Sequence, residues 1–260
     1  MSLHLVELPI ALRELHLWAG GRNFAGNFDE GLALHHLLGE VFGPATLQPF
    51  RLMVAPRARA GTLYAYAAED AEALRTAASA SLTPGQQAVI QLDRLRSIPR
   101  PPSTWQEGQR LGFDVRLRPV VRLHGDLAGV DEAGKTVTMR KGAEVDAYLA
   151  YSLRTTADAA PIITRESVYL DWLAERLAPA ARLDLHATRL AGIRRQVVSR
   201  GSRRLEGPDA IIHGTLTVTD AEAFAATLAS GIGRHRTYGY GMLLLRPPQR
   251  PAAGRGSAPC

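Results

Sequence analysis

Residues 231–241 read Gly-Ile-Gly-Arg-His-Arg-Thr-Tyr-Gly-Tyr-Gly, two GxG pairs enclosing Arg234, His235, Arg236 and Tyr238. Glycine lets a backbone lie against a ligand with no Cβ in the way, and guanidinium groups present forked donors to phosphate. Gly231, Gly233, Gly239 and Gly241 with the side chains between them therefore read as a loop that grips a phosphate backbone, and His235 would be brought near that phosphate. The loop follows a helix-like run (220–230) and precedes a strand-like one (242–246). Dinucleotide and P-loop sites run in the reverse order, strand then glycine loop then helix. A nucleic-acid backbone is thus the preferred ligand over a nucleotide cofactor, and no cofactor is expected.

A second basic concentration comprises Arg189, Arg194, Arg195, Arg200, Arg203 and Arg204, around a strand-turn-strand with Gly201-Ser202 at its tip. Glu206 is the acidic residue that interrupts it. Such a hairpin repels itself unless solvent or an anion screens it, and it suits a phosphate-lined groove. The whole chain carries a formal charge of +6, and of its 31 basic residues only Lys135 and Lys141 are lysine. A polyanionic partner fits that balance, although a GC-rich genome also enriches arginine.

Of the eight histidines, His35 and His36 sit in a helical run. At about 100° per residue, His36 points to solvent, away from Leu34, Leu38 and Val41, whereas His35 falls at the edge of that apolar face. An imidazole held at a core boundary suits general acid–base work, and a boundary histidine with no role is the competing reading. Arg22 follows Gly20-Gly21 in a loop before that helix, where a guanidinium would stabilise charge on a pentavalent phosphate. No HxH or HxxxH pair has a carboxylate companion, so no metal site is expected.

The elements that must carry these residues fall into two copies of one order. Residues 3–9 (strand), 29–42 (helix), 50–55 and 62–67 (strands), 69–80 (helix) and 87–95 (strand) give βαββαβ, the ferredoxin-like arrangement. Residues 98–108, with three prolines, read as a linker. The second half repeats the order with insertions: a long strand at 111–123, a hairpin around Gly134, a short helix at 145–153, a helix at 167–177, strands at 182–198 and 210–219, a helix opened by a Thr219-x-x-Glu222 capping box, and a closing strand at 242–245. The expected fold is therefore α+β, with two tandem ferredoxin-like domains (1–97 and 109–247) and a C-terminal glycine-rich loop. Residues 248–260 have the composition of a disordered tail. The lone cysteine, Cys260, fits a reducing cytoplasm, and no apolar run is long enough to span a membrane.

The ending GIGRHRTYGYGMLLLRP, preceded by HGTLTVTD, resembles the C-terminal signature of CRISPR repeat-processing endoribonucleases of the RAMP superfamily, above all the CasE (Cse-type) branch of type I-E and the related type IV nucleases. YLDWLAERL, the LHLVELP strand and the Leu34-His35-x6-Phe42 pattern are also similar. The resemblance implies two ferredoxin-like domains, binding of the precursor CRISPR RNA stem-loop, and metal-independent cleavage by attack of a ribose 2′-OH. The products are a 2′,3′-cyclic phosphate and a 5′-OH, and the enzyme then stays on the mature RNA as an effector-complex subunit. His35 takes the place of the family's first-helix histidine. CasE-type enzymes often carry a tyrosine one turn earlier, where this chain has Leu32, and Tyr238 or Arg22 stands in or the arginines carry the site. The alternatives are a non-catalytic RNA scaffold of the same superfamily and a small-molecule enzyme on a ferredoxin-like fold.

Overall fold

The computed structural model describes residues 2–22, 28–80, 82–130, 134–155, 163–200 and 203–248, with the backbone alone for 198–200 and 203–205. In the first half β1 (His4–Ala11) leads directly into α1 (Leu12–Gly20), and α2 (Glu30–Phe42) follows. Then come β2 (Phe50–Met53), β3 (Ala60–Ala67), α3 (Ala71–Ser79), α4 (Pro84–Val89) and β4 (Arg96–Pro99). The strands form an antiparallel sheet in the order β2-β3-β1-β4. In the second half β5 (Arg110–Leu117), β10 (Ala181–Arg200), β11 (Arg203–Val218) and β12 (Leu243–Arg246) form the sheet β10-β11-β5-β12. Both sheets therefore have the order second-third-first-fourth, the ferredoxin-like order. The helices α6 (Arg165–Leu177) and α7 (Ala221–Ser230) supply the two crossovers of the second half. Its insertion holds β6 (Val120–Arg122), β7 (Leu127–Val130), β8 (Thr136–Met139), β9 (Glu144–Asp146) and α5 (Ala147–Ser152), with β6 pairing β9 and β7 pairing β8.

Period and caps explain why the site-bearing helix forms where it does. The Asp29 carboxylate accepts from the Leu32 amide at the start of α2, and Leu34, Leu37, Leu38 and Val41 bury one stripe against the first core. Each such buried side chain contributes about 1.5–3 kcal/mol, so the face, rather than propensity, fixes the helix. Across the stripe His36 is exposed and His35 half-buried, as the helical spacing requires. The second core gathers Phe113, Tyr169, Trp172, Leu173 and Phe224, and it also takes in Leu3 and Tyr66 from the first half. The Tyr66 hydroxyl donates to the Leu243 carbonyl, 3.1 Å away.

Several expectations are corrected. The apolar run at 87–95 is not a strand: Thr83 and Gln86 form a capping box that starts α4, Pro84 sits at the first turn, and a 3-10 turn (Leu92–Arg94) follows. The fourth strand is instead β4, whose last two residues fall in the stretch read as a linker, at a sheet edge where Pro99 is tolerated. A separate helix, α1, precedes Gly21, so Arg22 lies just past a helix end rather than in a strand-to-helix loop. The strand expected over 111–123 breaks at Pro119 into β5 and β6. Helix α7 is capped by Asp220, whose side chain accepts from the Ala223 amide, while Thr219 Oγ1 donates to the Pro179 carbonyl. The tip Gly201-Ser202 and residues 249–260 lie outside the described residues.

A buried charge pair joins the halves. Arg51 Nη2 of β2 approaches Asp114 Oδ1 of β5 at 2.9 Å, as a charge contact rather than an aligned hydrogen bond, with the Arg51 side chain 6% exposed. The other oxygen of Asp114 meets His213 Nε2 at 2.6 Å, across the β5–β11 register. Burial pushes the Arg51 guanidinium below its usual range, and Asp114 opposes that shift. Asp114→Ala leaves a buried cation unpaired. The expected result in urea denaturation is a loss of about 3–5 kcal/mol, whereas Glu14→Gln at the exposed Arg13–Glu14 pair leaves the midpoint nearly unchanged.

Candidate active site and nucleic-acid interface

The glycine loop of the second half docks on α2 of the first. A Cβ built on Gly31 would lie 2.5 Å from the Tyr238 carbonyl oxygen, so the contact exists because position 31 has no side chain. One helical turn on, the His35 ring meets the Tyr238 ring edge-on, with centroids 5.2 Å apart and planes at 65°. His35, His36, Glu40, Gln48, Phe50 and Thr237 line a cleft of about 320 Å³ between α2, the start of β2 and the loop. The loop thus brings an aromatic ring to the one histidine that helical phase places at the core boundary.

The four loop glycines all take left-handed φ, between +72° and +81°. Their Cβ directions point at protein: Pro49 for Gly231, Trp172 for Gly233, Phe50 for Gly239 and the Ile232 carbonyl for Gly241. The glycines therefore build and seat the loop, and the surface offered outward consists of the side chains between them. Within it His235 takes φ +63° and begins a 3-10 turn (Arg236–Tyr238). The Ile232 amide donates to the Gly241 carbonyl at 2.8 Å and closes the loop on itself.

Glu144 of β9, a residue the sequence reading did not single out, pins this loop. Its Oε1 lies 2.5 Å from His235 Nε2 and its Oε2 lies 2.7 Å from Arg234 Nε. The His235 side chain is 12% exposed, so it is anchored with one ring nitrogen committed, unlike the more open His35. Arg236 Nη1 donates to the Ser230 carbonyl at 2.6 Å, satisfying the end of α7.

The arginine hairpin is β10–β11. Beyond Ala210, where β11 leaves β5, the two strands continue as a ribbon on which Arg194 pairs with Asp209 and Arg200 with Arg203 in register. Asp209 is buried and holds two cations: Arg116 of β5 by two hydrogen bonds (2.7 and 2.8 Å) and Arg194 by one (2.7 Å). Burial pushes the Asp209 carboxyl up, but the hydrogen bonds and charges of Arg116 and Arg194 outweigh it and hold the group below the usual carboxylate range. Arg195 pairs with Glu206 at 3.1 Å. Arg189 stands opposite His213 in the register. The side chains of Arg200, Arg203 and Arg204 lie outside the described atoms.

Arg22 is not directed at the cleft as a lone cation. Both its terminal nitrogens bind the Glu40 carboxylate, and its guanidinium lies 4.1 Å from the Trp18 ring centroid. The structure thus brings together His35, Tyr238 and, 6.4 Å from the Tyr238 ring, His235, with Arg194 approaching from the ribbon. Among the described residues no three His, Cys, Asp or Glu side chains converge to hold a metal ion, and no helix is long and apolar enough to cross a membrane.

The chain matches the CRISPR associated protein family over residues 3–247 and belongs to it. No protein of curated function matches the sequence. Its fold is similar to that of CRISPR endoribonuclease Cse3 bound to a 19-nucleotide RNA, at 20% identity and a TM-score of 0.60, over 95% of this chain and all of that one. It is similar as well to Cas6e from Escherichia coli str. K-12 (19% identity, TM-score 0.57, 94% and 99% covered). Thermus thermophilus Cse3 bound to an RNA representing a pre-cleavage complex is a third relative (20%, 0.55, 95% and 100%).

Burial pushes the Glu144 carboxyl up, but the His235 hydrogen bond and the charges of His235, Arg234 and Arg118 outweigh it, leaving the group below its ordinary value. A carboxyl depressed on folding stabilises fully above its unfolded pKa and loses that contribution as pH falls through the folded one. Glu144→Gln is therefore expected to destabilise the protein most at about neutral pH and progressively less toward ~pH 3, as followed by thermal melts across that range.

Proposed function

We propose that this protein is an endoribonuclease that binds the repeat stem-loop of precursor CRISPR RNA and cuts it by internal transesterification, remaining on the product as a subunit of a CRISPR effector complex. The observation that carries this reading is the meeting of His35 with Tyr238, which itself lines a cleft with Arg194 of the arginine ribbon. Family membership and the likeness to RNA-bound Cse3 support it.

The chemistry needs alignment, a proton acceptor, a proton donor and cationic stabilisation. The ribose 2′-OH attacks the adjacent phosphorus, the P–O2′ bond forms and the P–O5′ bond breaks. One proton leaves the 2′ oxygen and one arrives at O5′, giving a 2′,3′-cyclic phosphate and a 5′-OH. The His35 imidazole, a side chain able to accept or donate a proton, handles the first or the second of these protons. Tyr238 supplies the phenol that the family's tyrosine provides where this chain has Leu32. The anchoring of His235 by Glu144 and of Arg22 by Glu40 makes these two positioning residues in this reading. The ribbon bearing Arg189, Arg194, Arg195, Arg200, Arg203 and Arg204, with Arg234 and Arg236, meets the phosphates of the stem. RNA helices are recognised largely by shape and backbone.

Purified protein is expected to cut its cognate repeat stem-loop in excess EDTA, and a 2′-deoxy substitution at the scissile nucleotide is expected to abolish cutting. Dependence on a divalent ion, or tolerance of the deoxy sugar, overturns the mechanism. His35→Ala is expected to slow single-turnover cleavage at least about tenfold with RNA affinity little changed, and Tyr238→Phe to slow it with the fold intact. An unaltered rate in His35→Ala moves the proton transfer to His235 or away from histidine.

A further inference from the structure

A second cleft, of about 240 Å³, has Tyr238 in its wall. It lies between the first turn of α2 and the β10–β11 ribbon, and its chemistry differs from that of the His35 cleft. Glu30, Gln196, Arg194, Arg116, Tyr240 and Tyr238 line it. Phe28, 42% exposed, stands at its edge stacked on His16, with centroids 3.8 Å apart and planes at 25°.

The hydrogen bonds already made here leave a definite set unmade. Gln196 Oε1 accepts from Arg116 Nη2 at 3.1 Å and from the Tyr240 hydroxyl at 2.7 Å, which fixes the amide. Its Nε2, with two N–H donors, has no partner among the described residues. The Glu30 carboxylate likewise makes no hydrogen bond or ion pair there, although burial sets its carboxyl above the usual range and the charges of Arg116, Arg194 and His16 pull against that. Arg194 lines the cleft, held through Nε on Asp209 with its side chain 67% exposed. A half-buried acceptor-only group, a fixed amide donor and a guanidinium thus surround a space walled by aromatic rings.

We propose that this cleft is a nucleobase pocket selective for an unpaired guanine. Unstacked bases of RNA are held by aromatic stacking and by hydrogen bonds on their Watson–Crick edge. Guanine carries two adjacent donors, N1–H and N2–H, that a carboxylate accepts side by side, with the O6 acceptor next to them for Gln196 Nε2 or Arg194. Adenine sets the N1 lone pair against the carboxylate, cytosine does the same with N3, and uracil offers a single N–H between two carbonyls. Because Tyr238, in the wall of this cleft, also meets the His35 ring, a guanine seated here positions its neighbouring nucleotide toward His35. The inference rests on the reading that this face of the protein holds RNA.

The test uses fluorescein-labelled pentaribonucleotides UUGUU, UUAUU, UUCUU and UUUUU, with binding read by anisotropy at low ionic strength. UUGUU is expected to bind at least about fivefold more tightly than the others. Glu30→Gln and Gln196→Leu are each expected to remove most of that preference, with thermal melts reporting whether the variants stay folded. Equal affinity for the four probes overturns the pocket, as does a guanine preference that survives Glu30→Gln. Cleavage of a repeat stem-loop by the same preparation reads the functional assignment separately. Cleavage without base preference removes the pocket alone, and guanine preference without cleavage leaves the pocket standing.

Discussion

The close approach of Tyr238 to Gly31 is the constraint on which the site depends. Residue 31 belongs to the first ferredoxin-like unit and Tyr238 to the second, and a single methyl group at position 31 would sit 2.5 Å from the Tyr238 carbonyl oxygen. The loop cannot yield easily. Its four glycines occupy conformations that side chains rarely adopt, and Pro49, Phe50 and Trp172 fill the space around them. Under the proposed function that rigidity has a chemical use, because transesterification by a substrate's own hydroxyl gains most from alignment.

Charge is organised by the same economy of contacts. Three carboxylates of the second half each hold two basic groups: Asp114 holds Arg51 and His213, Asp209 holds Arg116 and Arg194, and Glu144 holds Arg234 and His235. In each case one partner is more deeply enclosed and the other nearer the surface. A carboxylate that neutralises one cation and merely orients the second leaves a fixed positive edge. Unpaired arginines would instead repel one another and sample many rotamers. An arginine surface of this kind offers phosphate a preorganised set of donors, which is where electrostatic stabilisation is strongest.

Periodicity made the repeated ferredoxin-like order legible in the sequence, because each helix buries a stripe and each hairpin has its turn residues. It misled at 87–95, where Val89 and Ile90 are buried from a short helix and an isolated bridge, a burial that alternation cannot tell from a strand. His35 was legible for the same reason, since phase alone places it at the edge of the apolar face. Glu144, Asp209 and Gln196 were not. Each is an ordinary polar residue whose importance comes from a partner far away in sequence, as the 91-residue separation of Glu144 from His235 illustrates. The loop glycines were read as room for a ligand. They are room for the protein itself, because backbone freedom looks the same in sequence whichever neighbour fills the space.

Tyr238 meets the His35 ring and also stands in the wall of the polar cleft beside the ribbon. On the side of α2 and β2 the walls are apolar and small, with His35 at the rim; on the ribbon side they are polar and charged. Under the proposed function, an RNA base seated in the ribbon cleft would set the neighbouring nucleotide toward His35, and alignment of its ribose hydroxyl for in-line attack needs no covalent bond to the protein. Under that proposal the loop that carries Tyr238 is a shaping element, and the histidine beside it is the group that moves a proton once the shape is made.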